Sequence, residues 1–482
     1  MEVVVILLYV IASFVLFSYS CAQLSLLWNY WYKPKPRATS TASLSTLPLV
    51  TIQLPIYNER YVVERLLKAI TTLNYPKNCL EIQVLDDSTD ETHFLLEKLV
   101  AQYQSESFDI KYIRRSLRTG FKAGALAYGL QEAKGNLIAI FDADFVPRPD
   151  FLTQTLLYFQ TPNVGVVQTR WGHLNQSYSL LTLLQAFGLD GHFTVEQGGR
   201  NAGGHFINFN GTAGIWRKDC IIDAGGWSAD TLTEDLDLSY RAQLRGWEFV
   251  YLENIITPAE LPATMPAFKS QQYRWMKGAA ECARKNLSAV WQNKTLSVST
   301  KIFATFHLLN SGVFVAVLLM SVLSLPLLFI TTHSHEYHTL LGILRLFQLS
   351  IIVLVGFYAT AHYSHKTFWQ LLWQLPLFLA VVMGLSLHNA IAVVEGYLGR
   401  KTPFIRTPKW GIVEKQDNWT QKKYLLTSFN LLTILELLLC LYFIGGVVLG
   451  LYWAAPQLIV MYAMLAIGFG FVSFYSIKHS LV

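Results

Sequence analysis

The sequence predicts an α/β domain inserted after the first helix of a multi-pass α-helical membrane protein. Three observations carry that class. The 482 residues are 52% hydrophobic and only 15% charged, too apolar for an ordinary water-soluble chain. The charges are unevenly spread: none lies between Glu2 and Lys33, or in residues 302–335, 346–365, 367–394 and 437–477. Each run is long enough for a membrane helix, which needs roughly 20 apolar residues, and the last is long enough for two. Residues 33–300 instead mix charges, turns and short apolar runs, and their apolar segments alternate between strand and helix patterns.

Residues 1–32 read as a retained N-terminal helix. A cleaved signal opens with positive charge, whereas this chain opens Met1-Glu2. The run ends in Trp31-Tyr32, an interfacial aromatic pair, followed by Lys33, Lys35 and Arg37. Strand 48–56 comes next, then a helix over 59–73 with periodic Val62, Val63, Leu66, Leu67 and Ile70. Strand 80–85 closes on Asp86-Asp87, and Ser88 with Glu91 reads as a capping box for the following helix. Strand 109–113, helix 120–133 and strand 136–141 complete the series. Such alternation gives a mostly parallel sheet with helices on both faces. Ligands of these sheets sit beyond the carboxyl ends of the strands. Asp86, Asp87, Asp142 and Asp144 all stand at those ends and are expected to meet on one rim.

The stretch GNLIAIFDADFVPRP (135–149) ends an apolar strand in two carboxylates one residue apart. Burying both is costly, and they repel each other. A divalent cation resolves both problems, since Mg²⁺ is held by one or two carboxylates plus substrate phosphates. Taken alone, an aspartate pair opening a solvated loop reads equally well. Neither G-x-x-x-x-G-K-[ST] nor G-x-G-x-x-G occurs, so P-loop and dinucleotide-binding classes are unsupported. Glu234, Asp235 and Asp237 open a helix, where acidic residues favour the dipole; one of them could equally serve as a general base. In FNGTAGIWR (209–217), Gly211 and Gly214 permit close backbone approach to a ligand or simply make a tight turn. Gln271, Arg274 and Trp275 share one helical face at i, i+3 and i+4. Arginine suits phosphate and tryptophan suits a sugar or base, while residues 265–300 also read as interfacial amphipathic helices. The five cysteines have neither disulfide nor metal-ligand spacing. The net charge of +6 fits positive-inside loops rather than nucleic acid.

In order, Asp86-Asp87, Asp142-Ala143-Asp144, Thr233-Glu234-Asp235 and Gln271-Gln272-Tyr273-Arg274-Trp275 resemble the D, DxD, TED, QxxRW series of membrane-bound, inverting family 2 glycosyltransferases. These include cellulose, chitin and hyaluronan synthases. FNGTAGIWR, AGGW (224–227) and QQYRW resemble most the cellulose synthase-like A and C branches, which make mannan and glucan backbones. The resemblance is dense over residues 48–285 and covers the membrane helices by arrangement only. It implies a GT-A (Rossmann-like) domain over 33–285 and a membrane region over 301–482 with a cytosolic basic loop near 398–424. It implies a nucleotide-sugar donor held by Pro55, Tyr57, Asn58, Glu59, Asp87 or Asp86, Lys122, Asp142 and Arg274. Asp142 and Asp144 would hold Mg²⁺ or Mn²⁺, Asp235 beside Glu234 would be the catalytic base, and Gln271, Trp275, Gly211 and Thr212 would meet the acceptor.

The implied reaction is processive transfer of a hexose, UDP-glucose being the first choice of donor and GDP-mannose the second, onto a β-glycan that is also translocated. A single transfer to a lipid, as in ceramide glucosyltransferase, is the alternative, and a transporter with a nucleotide-binding regulatory domain a remote one. The lipid bilayer is a partner, nucleic acid is not, and accessory export subunits are left open. The expected location is the plasma membrane of a bacterium or the Golgi of a eukaryote, with the catalytic domain cytosolic. No cyclic-dinucleotide receptor domain is expected after the last helix.

Residues 399–409 resemble the gating loop F-x-V-T-x-K, with Arg406 in place of Val. Three apolar segments (302–331, 340–362 and 367–394) separate the domain from this loop, and an odd number of crossings would place the loop outside. The segment 367–394, made polar by Gln370, Gln374, His388 and Asn389 and flanked by Glu395, is therefore expected to be re-entrant or interfacial. Glu436, inside an apolar segment, is a candidate channel-lining residue or a helix-end contact.

Overall fold

The computed structural model describes residues 2–35, 46–333, 349–363, 367–426 and 430–481. Arg37, expected in the basic flank, and residues 340–348, expected in a membrane segment, lie outside them.

Seven strands form one sheet: β1 (Val50–Ile56), β2 (Leu80–Asp86), β3 (Asp109–Arg114), β4 (Leu137–Ile140), β5 (Val164–His173), β6 (Gly214–Arg217) and β7 (Glu248–Ala259). Their order is β3-β2-β1-β4-β6-β5-β7. Every residue of β2 is buried, as is all of β1 but Pro55. Strands covered on both faces read as near-continuous apolar runs, which is why they were visible in the sequence. Their polar residues satisfy one another: Thr51 donates to Glu81 at 2.6 Å and Gln53 to Gln83 at 3.0 Å. One core cluster, with Leu54, Leu66 and Phe151, covers one face; another, with Leu126, Phe209 and Trp216, covers the other.

Pairing is parallel except around β6, which runs antiparallel to both β4 and β5. This reversal matters for the site. It brings the start of β6 beside the end of β4, so that Ala213 N–H donates to the Ile140 carbonyl at 2.9 Å. The FNGTAG loop and the DxD aspartates thus share the rim.

The expected capping box at Ser88 is not formed. The helix Thr92–Ser105 has Glu91 at its N-cap with no side-chain cap. Ser88 Oγ instead accepts the Asn58 N–H at 2.9 Å, and Glu91 pairs with Arg60 and Lys423. The hydroxyl is captured by the loop after β1, a contact 30 residues away that local spacing cannot register.

Among the described residues, four helices are long and apolar enough to cross a membrane: Glu2–Tyr32, Asn310–His333, Leu431–Tyr452 and Leu458–Lys478. The run 437–477 therefore holds two helices, as its length suggested, whereas the segment 302–331 is split between Val298–Leu308 and Val313–His333. Ser350–His362 is a shorter apolar helix. Phe368–Gly384 and Ser386–Tyr397 are a pair bent by 49°. Both outer ends of the pair meet the α/β domain and its following helix. Leu371 packs against the buried cluster that holds Leu181 and Met265, and Glu395 accepts the Tyr273 hydroxyl. The basic loop beyond Tyr397 consequently emerges against the α/β domain.

Glu436 is buried in the helix Leu431–Tyr452. It lines neither of the two cavities beyond the strand ends, and pairs at 2.6 Å with Lys269 of the helix Met265–Gln292. The five cysteines are free thiols.

Candidate active site

The strand ends open into a cleft of about 210 Å³. Its wall is built from segments spread along the chain. Pro55 lies near the end of β1, Tyr57 and Glu59 follow it, Asp87 follows β2, and Asp142 and Asp144 follow β4. Thr233, Glu234 and Asp235 open the helix Glu234–Leu244. Gln271, Arg274 and Trp275 come from the helix Met265–Gln292. Lys122 and Gly211 complete the residues expected from the sequence that reach this wall.

Three expected residues do not line it. Asp86 is buried behind the rim, accepting the Ser88 N–H at 2.8 Å and the Tyr112 hydroxyl at 2.7 Å. Asn58, in the left-handed region at φ 55°, ties the β1 loop to Ser88 and Thr89. Thr212 is buried, its Oγ1 accepting the Asp142 N–H at 2.8 Å. All three shape the loops that carry the site. Asp237, another acid of the opening helical turn, is also structural: its carboxylate accepts Arg241 at 2.9 Å and Lys285 and Asn286 at 3.0 Å each. Asp237→Ala is expected to cost about 3–5 kcal/mol, the loss for breaking a buried ion pair. A thermal-unfolding midpoint of the purified protein reads it.

The carboxylates are strongly biased. Burial, reinforced by Glu234, pushes Asp235 up to about 7, while Lys122 opposes the rise. Burial also raises Glu234, again against Lys122. Lys122 is half-buried, and desolvation works against its charge, yet Asp142 and then Glu234 hold its pKa above the ordinary value. Its ammonium lies 2.5 Å from Asp142 Oδ1 and donates to the Gly211 carbonyl at 3.0 Å. Asp235 Oδ1 accepts its own helix's Leu236 N–H at 2.8 Å. Oδ2 faces Gly211, where an added Cβ would come within 3.0 Å at a φ of +80°. Only glycine gives the oxygen that space.

Gly278 has a similar role behind the helix opening. An alanine Cβ there would fall 2.5 Å from Thr233 Cγ2 and 2.9 Å from Thr233 N. Gly278→Ala is expected to cost about 1–3 kcal/mol by overpacking. It should also displace Glu234 and Asp235, so turnover falls further than the unfolding midpoint suggests.

The basic loop supplies residues that motif reading did not assign. Phe404, Arg406, Thr407 and Lys409 all line the cleft. Arg406 pairs with Glu59 at 2.7 Å, Lys409 with Asp144 at 2.7 Å, and Arg274 donates to Thr407 at 2.7 Å. The loop is pinned by Glu260, whose carboxylate accepts the N–H groups of Trp410 at 2.9 Å and Gly411 at 2.8 Å. Trp410 is buried against Ala263 and Ala267. The F-x-x-T-x-K spacing was the available signal; its partners, up to about 350 residues earlier, were not readable.

Asp142 and Asp144 suit a divalent cation. Asp142 uses Oδ1 for Lys122, and Asp144 uses Oδ2 for Lys409 and the Glu260 N–H. No hydrogen bond or ion pair among the described residues occupies the other oxygen of either. No cluster of three or more His, Cys, Asp or Glu able to hold a metal occurs among the described residues. Two carboxylates completed by phosphate oxygens are what Mg²⁺ takes.

A second cavity, about 420 Å³, adjoins the first. Asp235, Asn210, Gln271, Trp275 and Trp171 line both. It continues past His192, Phe193 and Phe268 to Phe314, Tyr358 and Phe378 of the apolar helices.

This sheet, with acidic residues on its carboxyl rim, is a GT-A fold. The mannosyltransferase PcManGT from Pyrobaculum calidifontis, solved in complex with GDP-Man and Mn²⁺, matches it with a TM-score of 0.52. That match covers 75% of this chain and 100% of its own, at 15% identity. The model of glycosyltransferase like family 2 matches residues 48–278. Glucomannan 4-β-mannosyltransferase 9 of Arabidopsis thaliana is 36% identical over 404 residues, 80% of this chain and 72% of its own length. Glucomannan 4-β-mannosyltransferase 1 of Oryza sativa subsp. japonica is 32% identical over 428 residues, 85% of this chain and 79% of its own length. The chain belongs to glycosyltransferase family 2, in its membrane-bound, cellulose synthase-like branch. It spans about half the length of several other plant relatives that it matches at 40–42% identity.

Proposed function

We propose that the chain is a processive, inverting β-1,4-mannosyltransferase that moves mannose from GDP-mannose to a growing β-glycan. The observation that carries this reading is the position of Asp235 on the wall common to both cavities. A base must reach the acceptor hydroxyl while the donor lies on its other side. The relatives' names favour mannose, so GDP-mannose replaces UDP-glucose as the first choice of donor.

The chain's own groups support one displacement. Asp235 takes the proton of an acceptor hydroxyl, and that oxygen bonds to the anomeric carbon. The bond from that carbon to the diphosphate breaks on the opposite face, inverting the α-linked donor to a β-linkage. Arg274 and Lys122 supply positive charge where negative charge gathers on the leaving group. A divalent cation on Asp142 and Asp144 would add to that neutralisation when bound. Trp275 and Gln271 hold the acceptor's terminal sugar, the ring stacking on the indole.

The second cavity's lining, which runs from Asp235 to Phe314, Tyr358 and Phe378 of the apolar helices, favours an extended acceptor over a single lipid-linked sugar. The product leaves along it, between the apolar helices. The bent pair Phe368–Tyr397 lies along the membrane face, which keeps the basic loop and the catalytic domain on one side.

Membranes carrying the protein, given radiolabelled GDP-mannose or UDP-glucose with Mn²⁺ or with EDTA, test the proposal. High polymer from GDP-mannose, sensitive to EDTA and digested by β-1,4-mannanase, is expected. Incorporation from UDP-glucose alone, or a single sugar on lipid, overturns it.

A further inference from the structure

The cleft divides by what each end can hold. Asp235, Gln271 and Trp275 line both cavities, whereas Asp142 and Arg274 line the cleft and not the second cavity. The remaining end is built by Tyr57 and Glu59 after β1, Asp87 after β2 and Arg118 after β3. A sugar nucleotide whose sugar meets Asp235 and whose diphosphate meets Asp142 must lay its base at that end.

Most charged groups around the cleft are already matched. Lys122 faces Asp142, Lys409 faces Asp144, Arg406 faces Glu59, and Asp87 is taken by Arg115 through two contacts. Arg274 makes no ion pair but donates to Thr407 at 2.7 Å, and Arg118 lacks even that. Its guanidinium has no ion pair or hydrogen bond among the described residues, and its Nε is buried without a partner. Aromatic faces alone hold it: its centre lies 3.3 Å from the Tyr57 ring centroid, 4.9 Å from that of Phe121 and 6.0 Å from that of Phe404. Stacking of this kind fixes a planar group while leaving its N–H edge free. A half-buried guanidinium with unspent donors calls for acceptors from a ligand.

We propose that Arg118 reads the base of the donor and selects guanine over uracil, an inference that rests on GDP-mannose being the donor. Guanine presents two neighbouring in-plane acceptors, O6 and N7, which match the arginine fork; the same pairing is the commonest specific contact in DNA recognition. Uracil offers one carbonyl on the corresponding edge. A lysine at this position keeps the charge and loses the fork.

The test uses the full chain in detergent with Mn²⁺ present. Calorimetry compares GDP, 7-deaza-GDP, UDP and inorganic pyrophosphate on the wild type and on Arg118→Lys. The deaza analogue lacks only the N7 acceptor, so the comparison on the wild type needs no variant. GDP is expected to bind roughly tenfold more tightly than 7-deaza-GDP to the wild type. Arg118→Lys should erase that difference and leave pyrophosphate unchanged. Equal binding of GDP and 7-deaza-GDP to the wild type overturns the inference. So does an equal loss of GDP and pyrophosphate in the variant, which would put Arg118 on the phosphates. GDP preferred over UDP with no response to Arg118→Lys leaves the donor reading standing and removes this one. UDP preferred over GDP removes both.

Discussion

Asp235→Asn is expected to reduce glycosyl transfer by about 10³-fold, within the range that general-base groups contribute, while donor binding changes little. The amide keeps the shape and the Leu236 N–H contact but cannot accept the acceptor's proton. The wild type should show a matching pH dependence. Burial and Glu234 raise the Asp235 pKa to about 7, so below that pH the carboxyl is mostly protonated and idle. The acid limb of kcat/KM, which reports the free enzyme, should therefore rise through neutrality to a plateau. Asp235→Asn should lose the limb along with the rate. An unchanged rate in the variant would remove the base from this residue.

Asp144→Asn is expected to cost at least about a hundredfold in turnover, as loss of one preorganised charge contact at a leaving group does. Asp144 uses one oxygen for Lys409 and the Glu260 N–H. The substitution removes one of two cation-holding carboxylates and leaves the Lys409 ammonium without its counter-charge. The readout is the Mn²⁺ concentration for half-maximal activity, which should shift upward steeply. Asp86→Asn is the control. Asp86 serves Ser88 and Tyr112 behind the rim, so its loss should lower the unfolding midpoint and leave the Mn²⁺ response in place.

Much of this site was legible in the sequence because its chemistry is carried by short motifs at element ends. The DxD pair follows a strand buried on both faces, the TED acids open a helix, and Gln271, Arg274 and Trp275 fall on one helical face whatever the tertiary context. The features that were not legible depend on distant contacts. Strand alternation does not tell direction, so the antiparallel β6 could not be read, although it is what brings Gly211 to Asp235. Local spacing suggested a capping box at Ser88, but the hydroxyl is claimed by Asn58. Asp86 and Asp87 are neighbours of one type, and only the fold sends one into the core and the other to the cleft. The same holds for the loop 404–409. It was plain as a basic loop resembling a gating loop, but the partners of its cations, Glu59 and Asp144, lie far back in the sequence.

A cryo-electron microscopy map of the protein with GDP, Mn²⁺ and a short β-1,4-mannoside tests the central claim most directly. The diphosphate should lie between Asp142, Asp144 and Arg274, with the mannoside's terminal hydroxyl within hydrogen-bond reach of Asp235. GDP bound elsewhere, or a glycan terminus on a side of the domain away from Asp235, would contradict it.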